Sequence, residues 1–294
     1  MVLHRLLRAC VSTGLTILLG GLFAATLARF APGFGVDERE FDPRRGVASL
    51  QDLRARRQAV GNIVSYYGGY LARMAQGDLG VSQSLGRPVA ELLAERLPVT
   101  AKAAGAGLLL GWLPGLLLAL ATCRPSKTLD LAAGVLSALL LCLPSAVVAL
   151  ALLFAAPTGL RPSVAVGVAV AIVVFPRVLR FARGILGQVA VAPHVQMASA
   201  KGVGPYRILI AHILGPALPS LLALAGVSIS VAFGAAIPVE VITDSPGIGQ
   251  LAWQAALQRD VALLTSLGIL VTTITVAANS LAGVVQDCLR QETA

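Results

Sequence analysis

Along this chain the apolar positions run on rather than alternate with polar ones. Six stretches are nearly unbroken Ala, Val, Leu, Ile and Gly: 9–28, 99–121, 129–156, 163–179, 218–239 and 261–285. A bilayer core about 30 Å thick is crossed by roughly 20 helical residues, because each residue rises about 1.5 Å. Each stretch therefore predicts a transmembrane helix. The first, preceded by His4, Arg5 and Arg8, also fits a cleaved signal peptide. Its run is longer than a usual signal core, and Arg29 abuts any cleavage site. Gly107, Gly111 and Gly115 recur four apart on one helix face, where a second backbone can come close. Pro114, Pro144 and Pro176 lie in or near the runs and predict kinks.

The composition agrees with an all-α polytopic membrane protein of about six spans. Hydrophobic residues make up 56% of the chain and charged residues 13%, about half the charged share of a soluble domain. Mean hydropathy is +0.82. The net charge of +9 needs no nucleic-acid partner, since basic loops facing anionic lipid account for it. Cys10, Cys123, Cys142 and Cys288 are far apart, have no ligand spacing, and read as small apolar fillers.

The charge of the short loops predicts orientation. Arg124 and Lys127 follow the second run, and Arg177, Arg180, Arg183, Lys201 and Arg207 follow or end the fourth. The loops after the third and fifth carry one Arg each, Arg161 and Arg259. Both termini and the 180–217 region are thus expected in the cytoplasm, and the long 30–98 segment outside. That segment balances its Arg with Asp37, Glu38, Glu40, Asp42, Asp52, Asp78, Glu91 and Glu95. Short helices are expected in it near 49–59 and 60–74. The expected division is 1–29 as N-terminal segment and first span, 30–98 as extracytoplasmic loop, and 99–294 as a five-helix core with a cytoplasmic loop at 186–217.

Catalytic chemistry is not legible. Lys201-Gly202 is not followed by the Ser or Thr of a phosphate-binding loop, and neither a zinc-binding His pair nor a Gly-x-Ser-x-Gly elbow appears. His4, His194 and His212 have no ligand spacing, so no metal site and no cofactor are expected. No span carries the row of acids that a proton relay uses, and no inverted repeat is evident, which argues against a secondary transporter. Lys102 and Glu240 sit near span ends, where a charge can reach the interface instead of paying about 3 kcal/mol at mid-bilayer. The chain carries no engine of its own.

One interruption stands out. From Pro193 to Pro216 the apolar text gives way to "PHVQMASAKGVGPYRILIAHILGP". Gly202 and Gly204 allow a tight turn and Pro205 can open a new helix. A short surface helix, a turn and a return to the membrane are predicted. Such a helix either rests on headgroups or enters a partner's groove.

This stretch resembles the cytoplasmic loop of inner-membrane permeases of ABC importers for dipeptides, oligopeptides and nickel. His194 to Val203 is similar to the family's Tyr-Val-x-Thr-Ala-x-Ala-Lys-Gly-Leu, followed by His212-Ile213-Leu214 and Ala217-Leu218-Pro219. Arg180-Phe181-Ala182-Arg183 is similar to its Arg-x-x-Arg, and Glu240 through Ser245-Pro246-Gly247-Ile248-Gly249 to its Glu and Pro-Gly-Leu-Gly stretch. Gly77-Asp78-Leu79-Gly80, Ser84, Arg87-Pro88-Val89 and Glu95-Arg96-Leu97-Pro98 resemble a fourth block. There are departures. Gln196 stands where an acid is usual, Gly215-Pro216 where Arg-Asn is usual, and Pro219 comes one residue early. Ala31-Pro32-Gly33 keeps only a fragment of the usual motif after the first span.

The resemblance implies a non-catalytic permease subunit in a bacterial inner membrane. Its expected partners are two ABC ATPase subunits, a second homologous permease, an extracytoplasmic substrate-binding protein and the lipid bilayer. Gln196, Met197, Ala198, Ala200, Lys201, Gly202, Arg180, Arg183 and His212 would couple it to the ATPase. Ala198 and Gly202 would be small because a groove wall comes close. Asp78, Arg87, Glu240, Pro246, Gly247 and Gly249 would form the extracytoplasmic gate. Peptide is the expected substrate, with nickel or another metal chelate as the alternative.

Overall fold

The computed structural model describes residues 2–30, 63–123, 127–155 and 161–292, and these are helical apart from short connections and one isolated bridge, Val81 to Pro88. The helices are α1 (Val2–Phe30), α2 (Ile63–Met74), α3 (Val89–Ala121), α4 (Lys127–Leu141), α5 (Ser145–Ala155) and α6 (Pro162–Ala190). They continue as α7 (Pro193–Ala200), α8 (Pro205–Ile242), α9 (Ile248–Leu257) and α10 (Val261–Glu292). Four of them, α3, α6, α8 and the Val261–Val284 part of α10, are long and apolar enough to cross a membrane, and α4 with α5 makes a fifth if that bent pair is one span. In α1 the apolar helix Thr13–Leu27 is shorter. The helix expected near 49–59 lies outside the described residues, and that expected at 60–74 is α2.

The run at 129–156 is not one straight helix. It breaks at Cys142–Pro144 and turns by 86° between its two halves. Pro144 lacks an N–H and disfavours helix at the residue before it. Leu143 instead closes a tighter turn onto Leu140 O at 3.2 Å. Pro114 and Pro176, by contrast, lie inside continuous helices.

The chain divides into two compact units. One comprises Met1–Arg96 and Leu251–Val276, the other Leu97–Gln250 and Ala277–Ala294. In the first, α1 lies against α2 and α10 through small residues. A Cβ on Gly20 would meet Thr272, one on Gly21 would meet Tyr67 and Ile269, and one on Gly268 would meet Ala24, all at under 3 Å. The Tyr67 hydroxyl donates to Leu18 O at 2.8 Å, and Tyr70 shares a buried 2.8 Å hydrogen bond with Ser266. In the second unit α6 is central, with Val166, Ala169, Val170, Val174, Val178 and Ala182 buried along one face. The glycine stripe of α3 packs here as expected. Cβ atoms on Gly107 and Gly111 would lie 2.4 Å from Gly167 O and 2.8 Å from Ala171 O, and one on Gly115 would lie 3.1 Å from Phe175 O. Such close backbone approach lets two membrane helices gain packing without a hydrophobic driving force.

Candidate functional sites

The first candidate site is the segment from the end of α6 to the start of α8. Pro193 begins α7 at a position where a missing N–H costs nothing. Val195 and Ala198, three apart, point into the second unit and are each 6% exposed. Met197 is 60% exposed, and Gln196, Ala200, Lys201 and Gly202 are also exposed. Ala198 is therefore small because it packs against its own chain, not because it faces outward. The helix ends at Lys201, and Gly202 follows with φ +76, a left-handed backbone that glycine adopts at no steric cost. A Cβ on Gly202 would meet no atom of this chain within 4 Å, so crowding by the chain's own residues does not select the glycine.

Two polar residues hold α7 in place. The Gln196 side-chain NH2 donates to Val191 O at 2.9 Å, beside the C-terminal end of α6. A carboxylate, usual at this position in the resembling family, has no donor for that carbonyl. His194 Nε2 lies 3.0 Å from His212 O. Pro216, four residues after His212, has no N–H to give that carbonyl its helical partner. The His194 ring N–H takes that place, and the backbone between runs as a π-helical turn over Ile208–Leu214. α8 begins at Pro205, where a new helix was expected to open, and runs without interruption through Gly215-Pro216 into the apolar run from 218. The histidines are structural partners here, His212 through its backbone. Arg180 is exposed at the end of α6 and Arg183 is half-buried. Between α7, the end of α3 and the π turn lies a groove of about 1000 Å3, bordered by Leu120, Cys123, Val195, Ser199, Tyr206 and Leu209.

The second candidate site follows α8. Glu240 is fully buried, so the expectation of a side chain reaching an interface is corrected. Its Oε2 accepts the Gly249 N–H at 2.7 Å, while Oε1 has no hydrogen-bond partner. Gly247 lies directly on the carboxylate, since a Cβ there would sit 2.2 to 2.4 Å from its atoms. The Thr100 hydroxyl accepts the Ile248 N–H at 2.8 Å and fixes the same turn. Glu240, Gly247 and Gly249 are thus brought together, and Pro246 stands exposed beside them. Asp244 accepts a short hydrogen bond from Gln250.

Asp78 and Arg87 belong to the other unit and serve local roles. Asp78 Oδ1 accepts the Gly80 N–H at 2.8 Å. Arg87 forms a forked pair with Glu95 at 2.6 and 3.1 Å and a longer one with Glu91 at 3.5 Å, all exposed to solvent. Their loop is anchored by a residue sequence reasoning missed. Asp260 is buried, and its Oδ2 accepts from Ser82 Oγ at 2.6 Å, Ser84 Oγ at 2.9 Å and Ser84 N at 3.0 Å. Its Oδ1 caps α10 through Leu263 N at 3.1 Å. An Asp just before an apolar run is the signature of a helix cap, which was available in the sequence. Asp260→Ala is expected to free the 78–88 loop at a cost of about 2–4 kcal/mol, because several buried donors lose one acceptor. Limited proteolysis should then cut within 78–88 at least tenfold faster, while the spans stay intact.

Among the described residues no cluster of three or more His, Cys, Asp or Glu is placed to hold a metal ion. What the described residues form is a set of helices long and apolar enough to cross a membrane, a short exposed helix with a left-handed turn, and a buried carboxylate turn. This defines a multi-pass inner-membrane protein. The chain belongs to the family of binding-protein-dependent transport system inner membrane components, whose model matches residues 107–294. It is 29% identical over 286 residues to the oligopeptide transport system permease protein OppB of Escherichia coli K12, covering 92% of each chain. It is 27% identical over 306 residues to a probable peptide ABC transporter permease protein, y4tP, of Sinorhizobium fredii, covering 94% of each. The Haemophilus influenzae OppB is 28% identical over 278 residues, covering 88% of this chain and 89% of that one.

Proposed function

We propose that this chain is a permease subunit of an ATP-driven peptide importer. It forms half of a translocation pathway with a second homologous permease. Substrate arrives from an extracytoplasmic binding protein, and two separate ATPase subunits supply the energy, so no catalytic residue is assigned to this chain. Both termini and the 186–217 loop face the cytoplasm. The names of the relatives favour peptide over the nickel alternative. The observation that carries the coupling role is α7 itself: a short helix, pinned at Gln196 and His194, that buries Val195 and Ala198 and offers Met197, Ala200 and Lys201 to a partner. Closure of the ATPase pair around ATP would move α7, and the rigid contact of α6 with α8 would carry that shift to the pathway. Lys201 and Arg180 would meet carboxylates on the partner. Glu240 with its glycine turn would stiffen the outer end of α8, and Pro246 in that turn is a candidate for contact with the binding protein, as are Asp78 and Arg87 in the other unit.

Co-purification tests this. The tagged chain, expressed with its neighbouring genes and extracted in mild detergent, should bring an ATPase subunit with it. Met197→Glu, on the exposed face, should lose that subunit at least tenfold without loss of the folded chain, since a charge entering an apolar groove goes unpaired. Normal retention by the variant, or no ATPase with the native chain, would leave α7 a surface connector.

A further inference from the structure

The second unit holds a cleft of about 480 Å3 between α8 and α10, bordered by Ala223, Val227, Ser230, Asn279, Gly283 and Gln286. Its volume falls in the range of small-ligand sites. Asn279 is exposed although it lies within the apolar span Val261–Val284, and Ser230 Oγ donates to its Oδ1 at a long 3.4 Å. Amides in membrane helices face protein or water rather than lipid, where their donors and acceptors would go unpaired. Gly283 leaves the cleft floor open, since a Cβ there would meet nothing within 4 Å.

From these positions we infer that the α8–α10 cleft is a main-chain-reading subsite for peptide in the translocation pathway. The inference rests on the peptide-importer proposal and deepens it. Ser230, Asn279 and Gln286 are neutral; Ser230 Oγ donates to Asn279 Oδ1, and the side-chain amides of Asn279 and Gln286 each carry both donors and an acceptor. That is the complement of a peptide bond, and it is blind to side-chain charge. Asn279 and Gln286 are seven residues apart on one helix. At about 1.5 Å per residue this is about 10 Å, close to three residues of extended chain at about 3.3 Å each. Two amides at that spacing can bracket a tripeptide length of backbone. Asn279 lies within the apolar span, five residues before its end at Val284, and Gln286 lies beyond that end, so on α10 the cleft runs from inside the span toward water.

The test uses the assembled transporter in proteoliposomes, with its binding protein and ATP, and three probes: Ala-Ala-Ala, Ala-Glu-Ala and Ala-Lys-Ala. Asn279→Leu should slow uptake of all three by roughly tenfold and by a similar factor, because it removes contacts to groups they share. Asn279→Asp should favour Ala-Lys-Ala over Ala-Glu-Ala by a comparable factor. In a background lacking the native cysteines, Asn279→Cys should react with a membrane-impermeant thiol reagent, and Ala-Ala-Ala with binding protein should slow that reaction. Native rates in both Asn279 variants, or no reaction at the introduced thiol, would overturn the subsite. So would loss of the second permease from the Asn279→Leu complex, which would make the cleft a helix–helix joint. If the native transporter carried none of the peptides, the peptide reading itself would fall, and this subsite with it. An overturned subsite with native peptide uptake would leave that reading standing.

Discussion

Valine at position 249 should remove most of the folded protein from the membrane. A Cβ on Gly249 would lie 2.3 Å from Ile237 O, 2.7 Å from Ile237 Cα and 2.9 Å from its carbonyl carbon. These are backbone atoms of α8 and cannot swing aside as the end of a side chain can. Ordinary overpacking costs about 1–3 kcal/mol. Here relief requires α9 to move away, which also breaks the 2.7 Å bond from Gly249 N–H to the buried Glu240 carboxylate. Losing a hydrogen bond to a charged group adds about 1.5–3 kcal/mol. The combined cost, about 3–6 kcal/mol, is a large part of a typical folding stability. Fluorescence-detected size-exclusion chromatography should show the monodisperse peak falling at least fivefold. Gly184→Ala is the control, because a Cβ there meets nothing within 4 Å and the peak should be unchanged. Gly247→Ala should fall between them, since its clash is with the end of the Glu240 side chain. An unchanged peak for Gly249→Val would mean that the 247–249 turn does not lie on Ile237 as described.

These positions mark where sequence reasoning succeeded and stopped. Run length and composition located four spans, and a fifth if the bent pair α4–α5 is one, because the bilayer demands long apolar helices whatever the tertiary contacts; the first run holds only the shorter apolar helix Thr13–Leu27. Run length alone does not show the 86° turn at Cys142–Pro144, since both halves are apolar, but Pro144 marked a kink there in the sequence, and only its size was not legible. The opening of a helix at Pro205 was legible, but its unbroken run through Gly215-Pro216 into the span was not, because the His194 donor to His212 O is not visible in the sequence. Glycine spacing on α3 was legible as close packing, for period four is a property of one helix. Glu240 was misjudged because its donor lies nine residues on, in a turn whose shape no periodicity encodes. Asp260 was overlooked although its position before an apolar run marked a cap, while its partners Ser82 and Ser84 are distant in sequence. The surface segment at 193–216 was the most legible, since a break in hydrophobicity is itself the signal. The direction in which Ala198 faces was not, because an eight-residue helix with little polar contrast does not declare its inner side.

At Gly202 a pair of substitutions separates two explanations of one residue. Its φ of +76 lies in the left-handed region, which costs a β-branched residue about 1–3 kcal/mol and an asparagine much less. Nothing in this chain lies within 4 Å of a Cβ there. If backbone handedness is what the position requires, Gly202→Asn should keep most of the ATPase association and peptide uptake. Gly202→Val should lose uptake by at least tenfold, because the turn re-forms with α7 ending differently and Lys201 redirected. If the wall of a partner's groove is what requires glycine, both side chains intrude and both variants should fail together. Purified complex yield and ATP-driven peptide uptake, measured side by side for the two variants, distinguish the cases. The geometry favours the first outcome. The turn after α7 is already left-handed in this chain alone, so this part of the proposed coupling surface is shaped by the chain's own stereochemistry.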